Sequence, residues 1–170
     1  MRHKNLNVSV IGVGYIGTVI SCALASETLT INGIDLDDNN IDLLNKGTTD
    51  IHEPGINEKI KEIVKKGFFS CSSDFSTIAD SSVVIVTVGT PLSNELEADL
   101  SQVEDVANNI GKYIAKNTLI CLKSTVIPGT TERFSEIISK VSGLEIGKDV
   151  HVAFSPERIA EGRALDEINT

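Results

Sequence analysis

A glycine-rich stretch near the N-terminus, GVGYIG, stands between a β-branched run and a segment of helical period. Gly12 permits a tight turn out of a strand, Gly14 allows an anion to approach the backbone, and Gly17 lets the following helix pack closely on a sheet. Amides at the helix start, including those of Tyr15 and Ile16, are unpaired donors for that anion. The stretch therefore predicts a strand, a phosphate-binding turn and a helix, which is the opening unit of a parallel sheet.

The alternation of short β-branched runs with amphipathic segments continues along the chain. It predicts a Rossmann-type α/β fold with three layers, in which a doubly wound, parallel, six-stranded sheet lies between helices. Strands are expected at residues 7–11, 30–35, 68–72, 83–88, 119–123 and 150–154. Helices are expected at residues 16–25, 39–45, 56–66, 100–115 and 130–141. The expected strand order is 3-2-1-4-5-6, so a ligand would bind beyond the carboxyl ends of the strands, between the first and the fourth.

Helix boundaries can be placed from capping and turn residues. Pro54 precedes the third predicted helix, Gly67 follows it, and Pro128 precedes the fifth. Asp99 is expected to be the N-cap of the fourth helix.

The acidic balance of the composition limits the partners. The 170 residues carry 15 basic and 24 acidic side chains, which gives a formal charge of −9. The basic run KEIVKK is interpreted as the solvent-exposed face of a helix. Nucleic acid and anionic membranes are therefore not expected as partners. The N-terminal MRHK before an apolar segment resembles a signal peptide, but three glycines are poor choices for a membrane-inserting helix.

The cysteines and histidines indicate neither a disulfide framework nor a metal site. Each cysteine lies in an apolar segment without CxxC spacing and is expected to be a buried thiol of a cytoplasmic protein: Cys22, Cys71 and Cys121. No pair of histidines has the spacing of metal ligands: His3, His52 and His151. No metal is expected.

An acidic residue at the end of the second predicted strand, Asp35, agrees with a dinucleotide site. Its carboxylate would accept from the ribose hydroxyls of an adenosine and repel a 2′-phosphate, which favours NAD over NADP. Two alternatives stay open. The glycines could form only a tight turn while Asp35 or Asp37 caps the next helix, or the turn could belong to a Rossmann-like methyltransferase.

Short motifs follow the later predicted strands as well. Each motif alone could be an ordinary turn, since Thr, Ser, Pro and Gly are common in turns. Taken in order, GVGYIG, Asp35, EPGI, VGTP, KSTVIPGTT and SPERIAEG closely resemble the UDP-glucose/GDP-mannose dehydrogenase family over essentially the whole chain. The resemblance implies an N-terminal NAD-binding domain. It belongs to an enzyme that oxidises the C6 hydroxymethyl group of a nucleotide sugar to a carboxylate in two steps, with two NAD+.

The resemblance also implies roles for residues of the cofactor site. Tyr15 and Ile16 are expected to contact the pyrophosphate, and Asp35 the adenosine ribose. Thr90 and Thr125 are expected to contact the nicotinamide half of NAD.

Further roles follow for the segment SPERIAEG. Glu157 is expected to order a water together with Thr125, and Glu161 to assist proton transfer or bind the sugar. Arg158 and Ile159 are expected to contact the substrate, the arginine by donating to its oxygens. The alternative is a solvated loop that only pairs charges at the surface.

The sequence of that segment also bears on the substrate. Pro156, Glu157, Arg158 and Ile159 look like the N-acetylhexosamine branch of the family, with UDP-N-acetylmannosamine as the first candidate substrate. Many sequences of that branch lack an acid at the position of Glu161. UDP-glucose therefore remains an alternative.

The family's catalytic cysteine lies in a later segment, beyond a long central helix, and none of the three cysteines has the setting of that motif. We therefore expect residues 1–170 to be a fragment of a longer enzyme that lacks the central helix and the C-terminal domain and is inactive alone. The full enzyme is expected to be a homodimer or larger, and this chain a monomer. A stand-alone NAD-binding module without catalysis is the alternative.

Overall fold

A computed structural model describes residues 6–91 and 98–168 and contains a six-stranded parallel sheet with helices on both faces. The strands are β1 (Leu6–Ile11), β2 (Leu29–Ile34), β3 (Phe69–Ser72), β4 (Val83–Val86), β5 (Leu119–Leu122) and β6 (His151–Phe154). Their order is β3-β2-β1-β4-β5-β6, and every neighbouring pair is parallel. The predicted fold class and strand order are confirmed.

Six α-helices and one 3₁₀-helix are found in the described residues. The helices are α1 (Tyr15–Leu24), α2 (Asp38–Asn45), α3 (Ile56–Lys65), the 3₁₀-helix (Phe75–Asp80), α4 (Ser101–Tyr113), α5 (Thr130–Ser142) and α6 (Ala164–Glu167). The 3₁₀-helix and α6 were not predicted, because neither is long enough to show a helical period. His3 and residues 92–97 of the polar loop after β4 lie outside the described residues.

Two apolar cores lie on opposite faces of the sheet, as expected when a parallel sheet is covered on both sides. Along β4, Ile85 belongs to the first core, whereas Val84 and Val86 belong to the second. Helices α1 and α3 contribute to the first core, and α4 and α5 contribute to the second. Because successive strand residues point to opposite faces, the continuous run VVIV supplies both cores at once.

The start of α4 differs from its prediction by one residue. Leu100, not Asp99, is the N-cap, and it makes no side-chain capping bond. The Asp99 carboxylate accepts from the backbone N–H of Ser101 at 2.9 Å, and bonds from Ser101 hold the pKa of Asp99 below its ordinary value. Asp99 therefore forms a turn just before the helix, because its carboxylate bonds to the backbone two residues on.

Candidate functional site

The glycine-rich turn after β1 is closely packed at two of its three glycines. Gly12 has a φ of +87°, and a Cβ atom there would lie 2.9 Å from Cγ1 of Val88. A Cβ atom on Gly17 would collide with the carbonyl oxygen of Gly12 and lie 2.8 Å from Oγ1 of Thr87. Around Gly14 no atom would lie within 4 Å of an added Cβ. Gly12 and Gly17 therefore shape the turn, and Gly14 leaves its backbone open to a ligand.

Thr87, the residue directly after β4, holds this turn from the neighbouring strand. Its Oγ1 lies 2.7 Å from the carbonyl oxygen of Gly12 and 3.1 Å from that of Ile11, and it donates to them. The sequence did not single out Thr87. The available signal was a hydroxyl side chain at the carboxyl end of an otherwise apolar strand.

A groove of about 500 Å³ opens at the carboxyl ends of β1, β2 and β4. Gly12, Gly14 and Asp35 line one part of it, and Phe75 and Asn109 line another. Its volume falls in the range of ligand pockets, roughly 300–1,000 Å³. The groove lies where the doubly wound topology places a dinucleotide, at the point between β1 and β4.

Asp35 lies at the rim of this groove, directly after β2. One carboxylate oxygen accepts from the backbone N–H groups of Leu36 at 2.7 Å and Asp37 at 3.1 Å. The other lies 3.4 Å from Nδ2 of Asn40. Since an ionised carboxylate can accept about four hydrogen bonds, Asp35 retains capacity for ribose hydroxyls.

The helix-capping alternative applies to Asp37 instead. Asp37 is the N-cap of α2, and its carboxylate accepts from the backbone N–H groups of Asn39 at 2.9 Å and Asn40 at 3.4 Å. Because Asp37 caps the helix, Asp35 is available at the groove.

Tyr15 begins α1, but its side chain points toward the C-terminal part of the chain. The hydroxyl donates to the Glu53 carboxylate at 2.6 Å and lies 3.1 Å from the backbone N–H of Gly162, which donates to it. Burial and the bond to Glu53 raise the pKa of Tyr15. The prediction that Tyr15 contacts a pyrophosphate therefore concerns its backbone amide. The neighbouring Ile16 side chain packs against the first core.

The turns after β4 and β5 are joined by hydroxyl groups. Oγ1 of Thr90 donates to the carbonyl oxygen of Thr125 at 2.7 Å, and Oγ of Ser124 donates to that of Val88 at the same distance. The structure thus brings together Thr90 and Thr125, which the sequence assigned to one half of the cofactor site.

An ion pair connects the end of β5 to the segment after β6. Nζ of Lys123 lies 3.0 Å from a carboxylate oxygen of Glu157, and the two side chains are only 18% and 19% exposed. Burial alone would raise the pKa of Glu157, but amide bonds from Arg158 and Ile159 and the charge of Lys123 outweigh it and hold the pKa below its ordinary value. Glu157 is therefore ionised at neutral pH. Lys123 was not predicted here, although a charge directly after the strand LICL was a usable signal.

The rest of the segment, residues 158–161, is less enclosed. Arg158 and Glu161 are exposed, whereas Ile159 is half-buried and packs against the first core. A solvated surface loop thus describes Arg158 and Glu161 but does not describe the ion-paired Glu157.

The Lys123 pair gives a stability prediction for this chain. Lys123→Met should lower the free energy of unfolding at neutral pH by about 1–3 kcal/mol, because Glu157 would lose a partner in a partly buried site. Since the folded pKa of Glu157 is depressed, the contribution is present above the ordinary carboxyl pKa and is lost as the pH falls through the folded value. Urea unfolding at a series of pH values should therefore show a difference that shrinks under acid conditions.

A matched control for that experiment is Lys148→Met. Lys148 pairs with Glu145 at 2.9 Å, but the two side chains are 72% and 64% exposed. The exposed pair should contribute less than about 0.5 kcal/mol. Equal effects of the two substitutions would contradict a special role for Lys123.

The three cysteines are free thiols with little nucleophilic character. Cys22 and Cys71 are buried, and burial raises the pKa of each to about 12. Cys121 is only half-buried, contrary to its prediction, because β5 lies beside the edge strand β6, where cover is incomplete; its pKa is also raised by burial.

The described residues show neither a candidate metal site nor a candidate membrane span. Residues 6–91 and 98–168 contain no group of three or more His, Cys, Asp or Glu side chains placed to hold a metal ion. In the same part of the chain, no helix has both the length and the apolar character that crossing a membrane requires.

Comparisons with known proteins agree with this geometry. A sequence model of the UDP-glucose/GDP-mannose dehydrogenase family, NAD binding domain, matches residues 6–170. The UDP-N-acetyl-D-mannosamine dehydrogenase of Pyrococcus horikoshii is 32% identical over 163 residues, which cover 96% of this chain and 39% of that protein. A UDP-glucose 6-dehydrogenase of Bacillus subtilis is 30% identical over 161 residues, which cover 94% of this chain and 36% of that protein.

Solved structures give the same result. An NDP-N-acetyl-D-galactosaminuronic acid dehydrogenase from Methanosarcina mazei Go1 has a TM-score of 0.91 and 35% identity, covering 98% of this chain and 38% of that one. The chain therefore spans less than two fifths of the length of each of these three proteins.

Proposed function

Because the chain belongs to the UDP-glucose/GDP-mannose dehydrogenase family and matches its NAD-binding domain, we propose that it supplies the cofactor site of a nucleotide-sugar 6-dehydrogenase. The complete enzyme would join this chain to a C-terminal part that carries the catalytic cysteine. It would oxidise the C6 hydroxymethyl group of a UDP-N-acetylhexosamine, first of all UDP-N-acetylmannosamine, to the uronate.

The observation that carries the proposed chemistry is the ion pair between Lys123, which directly follows β5, and Glu157, which lies in the segment after β6. Because Glu157 is ionised, its carboxylate can orient a water by accepting a hydrogen bond from it, as hydrolysis of an acyl intermediate requires. Thr125 follows Lys123 by two residues and would order that water with Glu157. Glu161, exposed in the same segment, would assist proton transfer or bind the sugar.

The proposed NAD site is built from the turn and the neighbouring strand ends: Gly12, Gly14, Tyr15, Ile16, Gly17, Asp35, Thr90 and Thr125. When bound there, NAD would supply the acceptor for the hydride from C6. The residues suit it, since Gly14 has open space, the groove holds about 500 Å³, and Asp35 keeps acceptor capacity at its rim. The amides of Tyr15 and Ile16 would donate to the pyrophosphate.

The proposed substrate follows from the segment after β6. Arg158 is exposed and would donate to hydroxyl, carboxylate or phosphate oxygens, and Ile159 would contact the substrate with its uncovered part. Two of the three proteins described above carry an N-acetylated sugar in their names. A relative named for UDP-glucose matches at nearly the same identity, so UDP-glucose is the second candidate.

The substrate proposal can be tested on the complete enzyme by NADH formation with UDP-N-acetylmannosamine, UDP-glucose and GDP-mannose in parallel. We expect the highest kcat/KM with UDP-N-acetylmannosamine and two NADH for each sugar oxidised. A preference for UDP-glucose would replace the first candidate by the second. Absence of NADH with all nucleotide sugars would overturn the proposed reaction.

The cellular setting and assembly are also part of the proposal. The complete enzyme would work in the cytoplasm, where thiols such as those of Cys22, Cys71 and Cys121 stay reduced. It would be a homodimer or larger, whereas this chain alone would be a monomer.

A further inference from the structure

Glu53 lies in the connection between α2 and α3. It is a buried acid whose carboxylate accepts hydrogen bonds from three groups. The residue is only 8% exposed to solvent. One carboxylate oxygen lies 2.6 Å from the hydroxyl of Tyr15 and 2.8 Å from the backbone N of Gly162, which both donate to it. The other accepts from the backbone N–H of Leu165 at 3.2 Å. A buried carboxylate needs such partners, and the bond from Tyr15 holds the pKa of Glu53 below its ordinary value.

These three bonds join segments that are far apart in the sequence. Tyr15 begins the helix of the glycine turn, whereas Gly162 and Leu165 end the segment that contains Glu157 and Glu161. Gly162 is 109 residues from Glu53 and 147 residues from Tyr15. Glu53 therefore ties the Glu157–Glu161 segment to the helix that begins at the glycine-rich turn.

The segment is thus attached to the sheet and helices at both ends. At its start, the backbone N–H of Glu157 donates to the carbonyl oxygen of Lys123 at 3.3 Å, and the two side chains form the ion pair. At its end are the bonds to Glu53, followed by Ala164, which is fully buried in the first core. Residues 158–161 lie between these two attachments.

We propose that Glu53 is a positioning residue that holds the Glu157–Glu161 segment in its working place through Gly162 and Leu165. This inference deepens the proposed function, because the segment matters for catalysis only if that function is right. A carboxylate suits the position, since all three neighbours donate to it. A glutamine would turn its NH₂ group toward at least one of those donors.

Trypsin provides a direct test on this chain, since Arg158 and Arg163 are exposed in the segment. Glu53→Gln should speed cleavage after these arginines about tenfold, the effect expected when a hydrogen bond to a charged group is lost. Cleavage after Lys140, at the far end of α5, is followed in the same digest and should not change. Glu58→Gln on the exposed face of α3 is the matched control and should leave all cleavage rates at the wild-type values.

Tyr15→Phe gives a second variant that keeps the carboxylate and removes the hydroxyl, which donates to Glu53 and accepts from the backbone N–H of Gly162. It should speed cleavage after Arg158 and Arg163 less than Glu53→Gln does. If Glu53→Gln does not fold, Tyr15→Phe is the variant that tests the positioning role of Glu53. Wild-type cleavage rates in a folded Glu53→Gln chain would overturn the positioning role. So would wild-type rates in Tyr15→Phe when that is the only folded variant.

Kinetics of the complete enzyme separate positioning from a general structural role. Glu53→Gln should lower kcat about tenfold and leave the KM for NAD unchanged, since the lost bond orients the catalytic segment. A higher KM for NAD with unchanged kcat would contradict that role. Faster cleavage with unchanged kcat and KM would uphold the attachment of the segment by Glu53 and would instead overturn the catalytic role that the proposed function gives the segment.

Discussion

Replacing Gly17 by alanine should destabilise this chain by about 3 kcal/mol and lower its Tm by about 10 °C. The added Cβ would collide with the carbonyl oxygen of Gly12 and lie 2.8 Å from Oγ1 of Thr87. The obstacle is backbone, and Gly17 is buried in α1, so relief requires the helix to move away from the sheet. Urea or thermal unfolding followed by circular dichroism measures the effect.

Gly14→Ala, three residues earlier in the chain, is the matched control. No atom lies within 4 Å of a Cβ at Gly14, and its φ is −69°, so the cost should stay below about 1 kcal/mol, mostly from a poorer N-cap. The methyl group would nevertheless stand where a pyrophosphate approaches, and NAD affinity should fall. A Gly17→Ala chain as stable as wild type would contradict the close packing of turn, helix and β4.

Replacing Glu157 by glutamine in the complete enzyme should lower turnover by about 10–100-fold, the effect expected when the ordered water loses its hydrogen bond to a charged group. Glutamine keeps the size of the side chain and can still accept from Lys123, but its neutral amide would hold the water less strongly than the carboxylate does. The KM for NAD should not change, because Glu157 is assigned to the water and not to the cofactor site. Steady-state NADH formation with varied NAD+ and varied nucleotide sugar separates the two effects.

Glu145→Gln is the control for that substitution, since Glu145 also pairs with a lysine but at an exposed site. It should leave both kcat and KM at the wild-type values. Turnover of Glu157→Gln close to wild type would remove Glu157 from the chemistry and leave the ion pair with Lys123 as a structural contact only.

The sheet and its order were predictable because several local signals agree on them. The run VVIV of β4 reads as a strand buried on both faces, and Gly12 and Gly17 are required by a positive φ and by close packing. The strand ends were predicted less well. Thr87 and Lys123 were included in strands, yet each lies just beyond one and turns its side chain to the site. A polar residue after an apolar run does not by itself show at which residue the hydrogen bonds between neighbouring strands end.

The attachments of the Glu157–Glu161 segment were not predictable, because they depend on contacts between distant parts of the chain. Glu53 was noticed only within the motif EPGI, and nothing near it in sequence indicates that it accepts from Gly162. Tyr15 was assigned through its position in the glycine turn, which says nothing about where its hydroxyl goes. Tertiary packing decides such bonds, and a single sequence does not display it.

Calorimetric titration of NAD+ and of NADP+ into this chain tests the central claim most directly, with Asp35→Asn as the comparison variant. We predict that wild type binds NAD+ at least about tenfold more tightly than NADP+, because the Asp35 carboxylate accepts from the ribose hydroxyls and repels a 2′-phosphate. In Asp35→Asn that preference should largely disappear, since the repelling charge is gone. Equal affinity of the wild-type chain for both nucleotides, or a preference that survives in Asp35→Asn, would contradict the assignment of the groove between β1 and β4 as an NAD site read by Asp35.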